Sequence, residues 1–125
     1  MFTISIDGSR KLIVAVLSGF LSMDEVPAFY AAEQEAARKL GVRSGEYLLL
    51  IDATHFVPQS QQVVAELKAM ISTRELQAER VAIVIDAALP RMQMRRLVDD
   101  EKNVGIFETL READTWLSPA SREQP

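Results

Sequence analysis

Apolar and polar residues alternate from Phe2 to Ile6, a period of two that predicts a strand with one side facing solvent. The turn signal Asp7-Gly8 follows, and Lys11 to Leu17 resumes as a richer apolar run. The two segments together predict a β-hairpin at the start of the chain.

Continuous apolar runs predict strands that are covered on both faces. Tyr47 to Ile51 is one such run, and Arg80 to Asp86 is a second. A shorter run, Asn103 to Phe107, predicts the last strand of the chain.

Apolar residues at helical spacing separate these strands. Ser22 stands three residues before Glu25, the spacing of a capping box, and Gly41 supplies a stop signal, so the residues between them predict a first helix. Three further stripes predict helices, at Val63–Ile71, Pro90–Val98 and Leu110–Leu117.

The predicted order along the chain is ββαβαβαβα. Strands that alternate with helices pair mostly in parallel, and the hairpin adds an antiparallel neighbour. We therefore predict the α/β class: a single domain with a mixed, mostly parallel sheet of about five strands and helices packed on it. The domain is expected to span residues 1–117, and the polar stretch 118–125 is expected to be a frayed tail.

Composition narrows the function classes. The chain has 125 residues, a net charge of −4 and no cysteine, which excludes disulfides and thiolate metal sites. Nucleic-acid binding is not expected, because it requires a concentrated basic face. No apolar run approaches the ~18 residues of a membrane-spanning helix. The opening segment also lacks the pattern of a signal peptide, so we expect a cytoplasmic protein.

Polar side chains follow two of the predicted strands. Asp52, Thr54, His55 and Ser60 follow one strand, and Asp86 follows the other. Ligands of open α/β sheets bind at the carboxyl ends of the strands, so we predict a binding site there. The same residue types also cap helices and pair loop amides, and Ser60 fits the position of a helix cap.

Catalysis has weaker support in the sequence. His55 could act as a base, but no Gly-x-Ser-x-Gly elbow presents a serine nucleophile, and no glycine-rich loop is spaced to hold a phosphate. Asp52 and Asp86 could hold Mg²⁺ through their carboxylates. An enzyme using Asp52, His55 or Asp86 stays open as an alternative, but we predict a non-enzymatic protein without cofactor or metal.

The segment Leu89 to Arg96 is an unusual surface candidate. Three arginines and two methionines lie at the start of the predicted short helix, and the core has room for one methionine at most. Exposed methionine beside arginine suits an adaptable protein-binding surface. We therefore add Arg91, Met92 and Arg95 to the predicted binding residues.

In this order of elements the chain resembles bacterial STAS domains (sulfate-transporter and anti-sigma-factor-antagonist domains), especially their SpoIIAA-like relatives. The resemblance covers roughly Phe2 to Leu117. It rests on four segments: VAVLSGFLSMDEV, LLLIDATHF, RVAIVID and IFETLREADTWL. The resemblance implies a non-catalytic module that binds other proteins or small ligands.

The resemblance also implies a regulatory serine at the start of the second helix. Antagonists of that family are phosphorylated there, within an Asp-Ser-Ser-Gly-Leu-like segment. Ser60 stands at about the matching place in VPQSQQV, where the preceding acid, the second serine, the glycine and the leucine are absent. Ser60 is therefore the candidate phosphorylation site, although its surroundings depart from the family pattern.

The function predicted from sequence is a STAS-like regulatory module that binds another protein. The alternative is a carrier or sensor for a small apolar or lipid-like ligand, which would need a pocket between helices and sheet. A homodimer is a further expectation, because the strand Phe2 to Ile6 would leave a free sheet edge.

Overall fold

The computed structural model describes residues 1–123, which fold around a five-stranded sheet in the order β1-β2-β3-β4-β5. β1 pairs antiparallel with β2, and every other neighbouring pair is parallel. The strands are β1 (Phe2–Asp7), β2 (Leu12–Gly19), β3 (Leu48–Phe56), β4 (Arg80–Val84) and β5 (Val104–Phe107).

Helices cover both faces of the sheet. Their bounds are α1 (Glu25–Leu40), α2 (Gln61–Ser72), α3 (Ala88–Val98), α4 (Leu110–Leu117) and α5 (Pro119–Arg122), and a 3-10 turn at Gly8–Arg10 joins β1 to β2. The larger core lies under α1, α2 and α3, where Val26, Leu67 and Met94 are buried. The smaller core lies under α4, which contributes Ala113 and Leu117.

The predicted α/β fold with a mixed five-stranded sheet is confirmed. β3 and β4 are parallel neighbours, and Asp52 stands opposite Val84 in their register. The reciprocal hydrogen bonds of the predicted capping box form, from the Ser22 amide to the Glu25 carboxylate (3.0 Å) and from the Glu25 amide to Ser22 Oγ (3.2 Å). They lie in the turn before α1, because the helix begins at Glu25 and its N-cap is Asp24 rather than Ser22. Gly41 ends α1 in the left-handed conformation, at φ 69°.

The end of β3 and the C-terminal segment differ from the prediction. β3 continues five residues beyond Ile51 to Phe56, because β2 shifts register after Val16 and pairs its last residues with His55 and Phe56. Residues 119–122, expected within a frayed tail, form α5, and the Arg122 side chain donates to the Glu79 carboxylate (3.0 Å). Gln124 and Pro125 lie outside the described residues, and the domain division at residue 117 stays a prediction.

A buried polar cluster ties α1 to the segment that follows α2. Glu33 is only 1% exposed and forms an ion pair with Arg74. The Tyr47 hydroxyl donates to Glu33 Oε1 (2.9 Å) and accepts a hydrogen bond from Arg74 Nη2 (2.9 Å). Burial raises the pKa of Tyr47 to about 12, because an ionised phenolate is poorly solvated inside the protein.

None of the helices in residues 1–123 combines the length and the hydrophobicity that crossing a bilayer requires.

Candidate functional site at the carboxyl ends of the strands

Gln59 joins the loops that leave β2 and β3. This side chain is buried, and its Oε1 accepts a hydrogen bond from the Leu21 amide (2.8 Å). Its Nε2 donates to the Gly19 carbonyl (3.0 Å) and to the Val57 carbonyl (2.6 Å). A single glutamine thus satisfies backbone groups of both loops, which fixes the two loops relative to each other.

Gln93 extends this connection to α3. The Gln59 amide donates to Gln93 Oε1 (2.6 Å), and Gln93 Nε2 donates back to the Gln59 carbonyl (2.9 Å). The loop after β2, the loop after β3 and the helix after β4 are therefore held by one hydrogen-bond network. The carboxyl end of the sheet is a preorganised surface.

Ser60 is the N-cap of α2. Its Oγ accepts a hydrogen bond from the Val63 amide (3.1 Å), and its backbone has the extended conformation that caps adopt. The side chain is exposed, so the hydroxyl is accessible from solvent.

Four large apolar side chains around this network are exposed, and we call them the apolar rim: Phe20, Met23, Leu89 and Met92. Phe20 is 72% exposed, and its two chain neighbours are both bonded to Gln59. Leu89 is 68% exposed and lies one helical turn before Gln93. Phe20 and Met23 follow β2, and Leu89 and Met92 lie in the first half of α3, so all four stand on segments that adjoin the network.

The arginines of α3 differ in their environment. Arg91 donates to the Glu108 carboxylate (2.8 Å) and so links α3 to the segment after β5. Arg95 and Arg96 are exposed and have no acidic partner among residues 1–123. The prediction that all three lie at the start of the helix is wrong. α3 begins at Ala88, so Arg95 and Arg96 occupy its last turn, where the helix dipole favours positive charge.

The methionines of α3 separate as the sequence indicated. Met94 is buried in the larger core, whereas Met92 is half exposed. On the helical repeat, Leu89, Met92 and Arg96 follow at three- and four-residue intervals and share one stripe. The exposed stripe of α3 therefore combines two apolar side chains with a guanidinium.

Asp52 and Thr54 do not join this surface. Leu48, Leu50 and Asp52 lie two residues apart on β3 and therefore share one face of the sheet, the face of the smaller core under α4. Ser60 caps a helix on the opposite face. Asp52 Oδ1 accepts hydrogen bonds from the Thr54 amide (3.1 Å) and hydroxyl (2.8 Å). The two residues thus form a local polar pair at the end of β3.

His55 and Asp86 are exposed, and neither engages another candidate residue. No hydrogen bond joins His55 to Asp52, Ser60 or Asp86 in the described part of the chain. Asp86 lies two residues beyond Val84, the register partner of Asp52. Within residues 1–123, no group of three or more His, Cys, Asp or Glu side chains is arranged to hold a metal ion.

Phe20 and Met23 lay outside the predicted surface segments. Leu89 and Gln93 lay within the predicted segment Leu89 to Arg96, and Gln59 lay within the predicted loop Thr54 to Ser60, but none of the three was singled out as a site residue. Gln59 and Gln93 are 34 residues apart, and no periodic pattern in the sequence predicts a hydrogen bond between two residues that meet only in the folded chain. The exposure of Phe20 could have been predicted from the sequence, because this large aromatic residue follows Gly19 and lies outside the apolar stripe of the next helix.

Comparisons with known proteins bear on the fold. No family model matches the sequence, and no curated protein does. Among solved structures, the chain is similar to an uncharacterised DUF3478-family protein with a SpoIIAA-like fold from Shewanella loihica PV-4. The TM-score is 0.73 at 21% identity, over 94% of each chain. The chain has the SpoIIAA-like fold.

A second solved structure supports the same assignment. It is an anti-sigma factor antagonist from Mycobacterium paratuberculosis, with a TM-score of 0.61 and 19% identity, and the match covers 98% of this chain and 96% of that one. At these identities the similarity describes the architecture, and the surfaces of this SpoIIAA-like domain have to be interpreted from its own residues.

Proposed function

We propose that this SpoIIAA-like domain is a non-catalytic regulatory module that binds another protein through the apolar rim. The observation that carries the proposal is the exposure of Phe20, Met23, Leu89 and Met92, which stand on segments that adjoin the buried Gln59. Interfaces are enriched in aromatic residues, methionine and arginine at their centres, which is the composition of this surface. The anti-sigma factor antagonist with the same fold supports a regulatory role.

The expected partner presents apolar side chains beside carboxylates. Arg96 lies on the exposed stripe of α3 and Arg95 lies beside it, and neither has an acidic partner within residues 1–123. Charge complementarity of this kind steers association and selects partners.

Affinity capture from native extract tests the proposal. The double variant Phe20→Ser/Leu89→Ser is expected to lose a partner that the unmodified chain retains. Ile6→Ser is the control, because Ile6 is an exposed apolar residue on β1, away from the rim. Equal retention by all three proteins would contradict the proposal.

We also propose that Ser60 regulates this surface. Its hydroxyl is exposed, and the preceding residue, Gln59, holds the rim together. A phosphate on Ser60 would be stabilised by the N-terminus of α2 and would add negative charge beside the rim. Ser60→Asp is expected to weaken partner capture, whereas Ser60→Ala retains it; equal capture by both variants would exclude this regulation.

A further inference from the structure

β1 is an edge strand of the sheet, and its outer side pairs with no other strand within residues 1–123. Natural edge strands are commonly protected by lysine, proline, a bulge or a short length. β1 has none of these features, because its six residues, FTISID, include neither lysine nor proline and pair with β2 without a register shift. The opposite edge strand, β5, has only four residues. β1 is therefore the edge that is open to a further strand.

The backbone of β1 directs three amides and three carbonyls away from β2. The Ser18 amide donates to the Met1 carbonyl (3.0 Å), so this pair, which continues the register of β1 with β2, is hydrogen-bonded. Hydrogen-bonded and non-hydrogen-bonded pairs alternate along an antiparallel ladder. The amides and carbonyls of Phe2, Ile4 and Ile6 therefore point outwards.

The side chains of this strand are arranged symmetrically about Ile4. Apolar residues, Phe2 and Ile6, stand two positions before and after it, and hydroxyl residues, Thr3 and Ser5, stand next to it. A second copy that runs antiparallel about a two-fold axis at Ile4 places Phe2 opposite Ile6 of the second copy. The same axis places Thr3 opposite Ser5 of the second copy. In this register all six outward backbone groups of each copy find partners.

The apolar and charged side chains of β1 are compatible with this arrangement. Phe2 and Ile4 pack against the larger core, whereas Ile6 is 42% exposed and would be covered by Phe2 of the second copy. Asp7 is the one charged residue of β1, and its carboxylate accepts hydrogen bonds from the Ser9 amide and hydroxyl. The two copies of Asp7 would stand at opposite ends of the pair, ~20 Å apart, where salt screens their repulsion.

We propose that the chain forms a homodimer in which the β1 strands of two copies pair antiparallel about Ile4. The two five-stranded sheets then join into one continuous sheet. The strand at the open edge is a second copy rather than an unrelated segment, because the symmetry of FTISI matches the strand to itself. The interface does not involve the apolar rim, so this proposal and the proposed function are tested separately.

Sedimentation equilibrium of the full chain measures the dimer, and two double variants test the pairing. Thr3 and Ser5 are exposed, so substitutions there leave the core intact. Thr3→Lys/Ser5→Lys places lysine opposite lysine twice in the proposed register, and should raise the dissociation constant of the dimer about tenfold. Thr3→Lys/Ser5→Glu places each lysine opposite a glutamate, and should dimerise at least as tightly as the unmodified chain.

Engineered cysteines test the register, because the chain contains no cysteine of its own. Oxidation of a mixture of Thr3→Cys and Ser5→Cys should link the two variants, because these positions form a non-hydrogen-bonded pair with Cα atoms ~4.5 Å apart. Either variant alone should link poorly, because its two cysteines lie diagonally, ~7–8 Å apart.

Three results would overturn the proposal. The first is an unmodified chain that stays monomeric at millimolar concentration. The second is equal dimerisation of Thr3→Lys/Ser5→Lys and Thr3→Lys/Ser5→Glu, which would place the interface away from β1. The third is a single cysteine variant that links to itself as efficiently as the mixture links, which would contradict the register about Ile4.

Discussion

Gln59 and Gln93 exchange two hydrogen bonds, from the Gln59 amide to the Gln93 side chain (2.6 Å) and from the Gln93 side chain to the Gln59 carbonyl (2.9 Å). This reciprocal pair fixes the start of α2 relative to α3. Because the Gln59 side chain also holds the loop after β2, the positions of Phe20 and Leu89 depend on the same few bonds.

Removal of the Gln59 side chain should destabilise the fold. Gln59→Ala leaves the buried Leu21 amide without its acceptor, and we expect a loss of about 2–3 kcal/mol in the free energy of unfolding. Gln93→Ala removes one partly buried acceptor and should cost about 1 kcal/mol. Urea denaturation measures both, with the exposed Gln61→Ala as a control expected within about 0.5 kcal/mol of the unmodified chain. If Gln59→Ala were as stable as this control, the result would contradict the structural role assigned to Gln59.

Ser60 should contribute to stability as a helix cap, whatever its part in regulation. Ser60→Ala removes the acceptor of the Val63 amide and is expected to cost about 1 kcal/mol. Ser60→Asp retains an acceptor and places negative charge at the positive end of α2, so its stability should stay within about 0.5 kcal/mol of the unmodified chain. Thermal denaturation compares the three proteins, and equal losses for both substitutions would contradict the capping role.

The two tyrosines predict a loss of stability in alkaline solution. Burial raises the pKa of both Tyr30 and Tyr47 to about 12. Because of this raised pKa, between about pH 10 and pH 12 each tyrosine keeps its hydroxyl proton in the folded state but loses it in the unfolded state. The stability contributed by each phenol is therefore complete below about pH 10 and is lost as the pH rises towards 12.

Each tyrosine should contribute about 2–3 kcal/mol to this loss between pH 10 and pH 12. Because the chain has only two tyrosines, absorbance at the phenolate band reports their ionisation directly. Denaturant titrations of Tyr47→Phe and of the unmodified chain measure the pH dependence, which should be shallower in the variant. Tyrosines that titrate near pH 10 in the folded protein would contradict the burial argument.

Gly105 should tolerate no side chain without rearrangement of the smaller core. A Cβ at this position would lie 2.8 Å from the ring of Phe107 and 3.3 Å from the ring of Trp116. The two rings pack with their centroids 5.3 Å apart, and the Arg80 guanidinium lies 4.6 Å from the centre of the Trp116 ring. Gly105→Ala is expected to destabilise the protein by about 1–3 kcal/mol through overpacking.

Calorimetry of Gly105→Ala measures this effect, and the near-ultraviolet signal of Trp116 should change with it. Gly8→Ala is the matched control, because no atom lies within 4 Å of a Cβ built there. A Gly105→Ala protein with unchanged unfolding temperature and an unchanged Trp116 signal would show that the rings accommodate the methyl group freely.

The sequence predicted the sheet because burial on both faces leaves long apolar runs. Leu48 to Ile51 and Val81 to Val84 are such runs, and their parallel pairing follows from the helix between them. The end of β3 was not predictable in this way. Asp52, Thr54 and His55 are polar, and they continue the strand because β2 supplies partners after its register shift.

The polar networks were harder to predict than the fold. Gln59 meets Gln93, and Glu33 meets Arg74, only after the helices pack on the sheet. The burial of Glu33 was detectable in the sequence, because Glu33 stands four residues from both Phe29 and Ala37 and so falls on the apolar stripe of α1. An acid on such a stripe predicts a buried partner, but not its identity.

The apolar rim is tested most directly by photo-crosslinking in the cells that express the protein. A benzophenone amino acid replaces Phe20, Leu89 or, as the control on β1, Ile6. We predict that positions 20 and 89 crosslink to the same protein, that position 6 does not, and that Arg95→Glu lowers the yield at position 89. Crosslinks to that protein from position 6 at equal yield, or none from positions 20 and 89, would contradict the assignment of this surface.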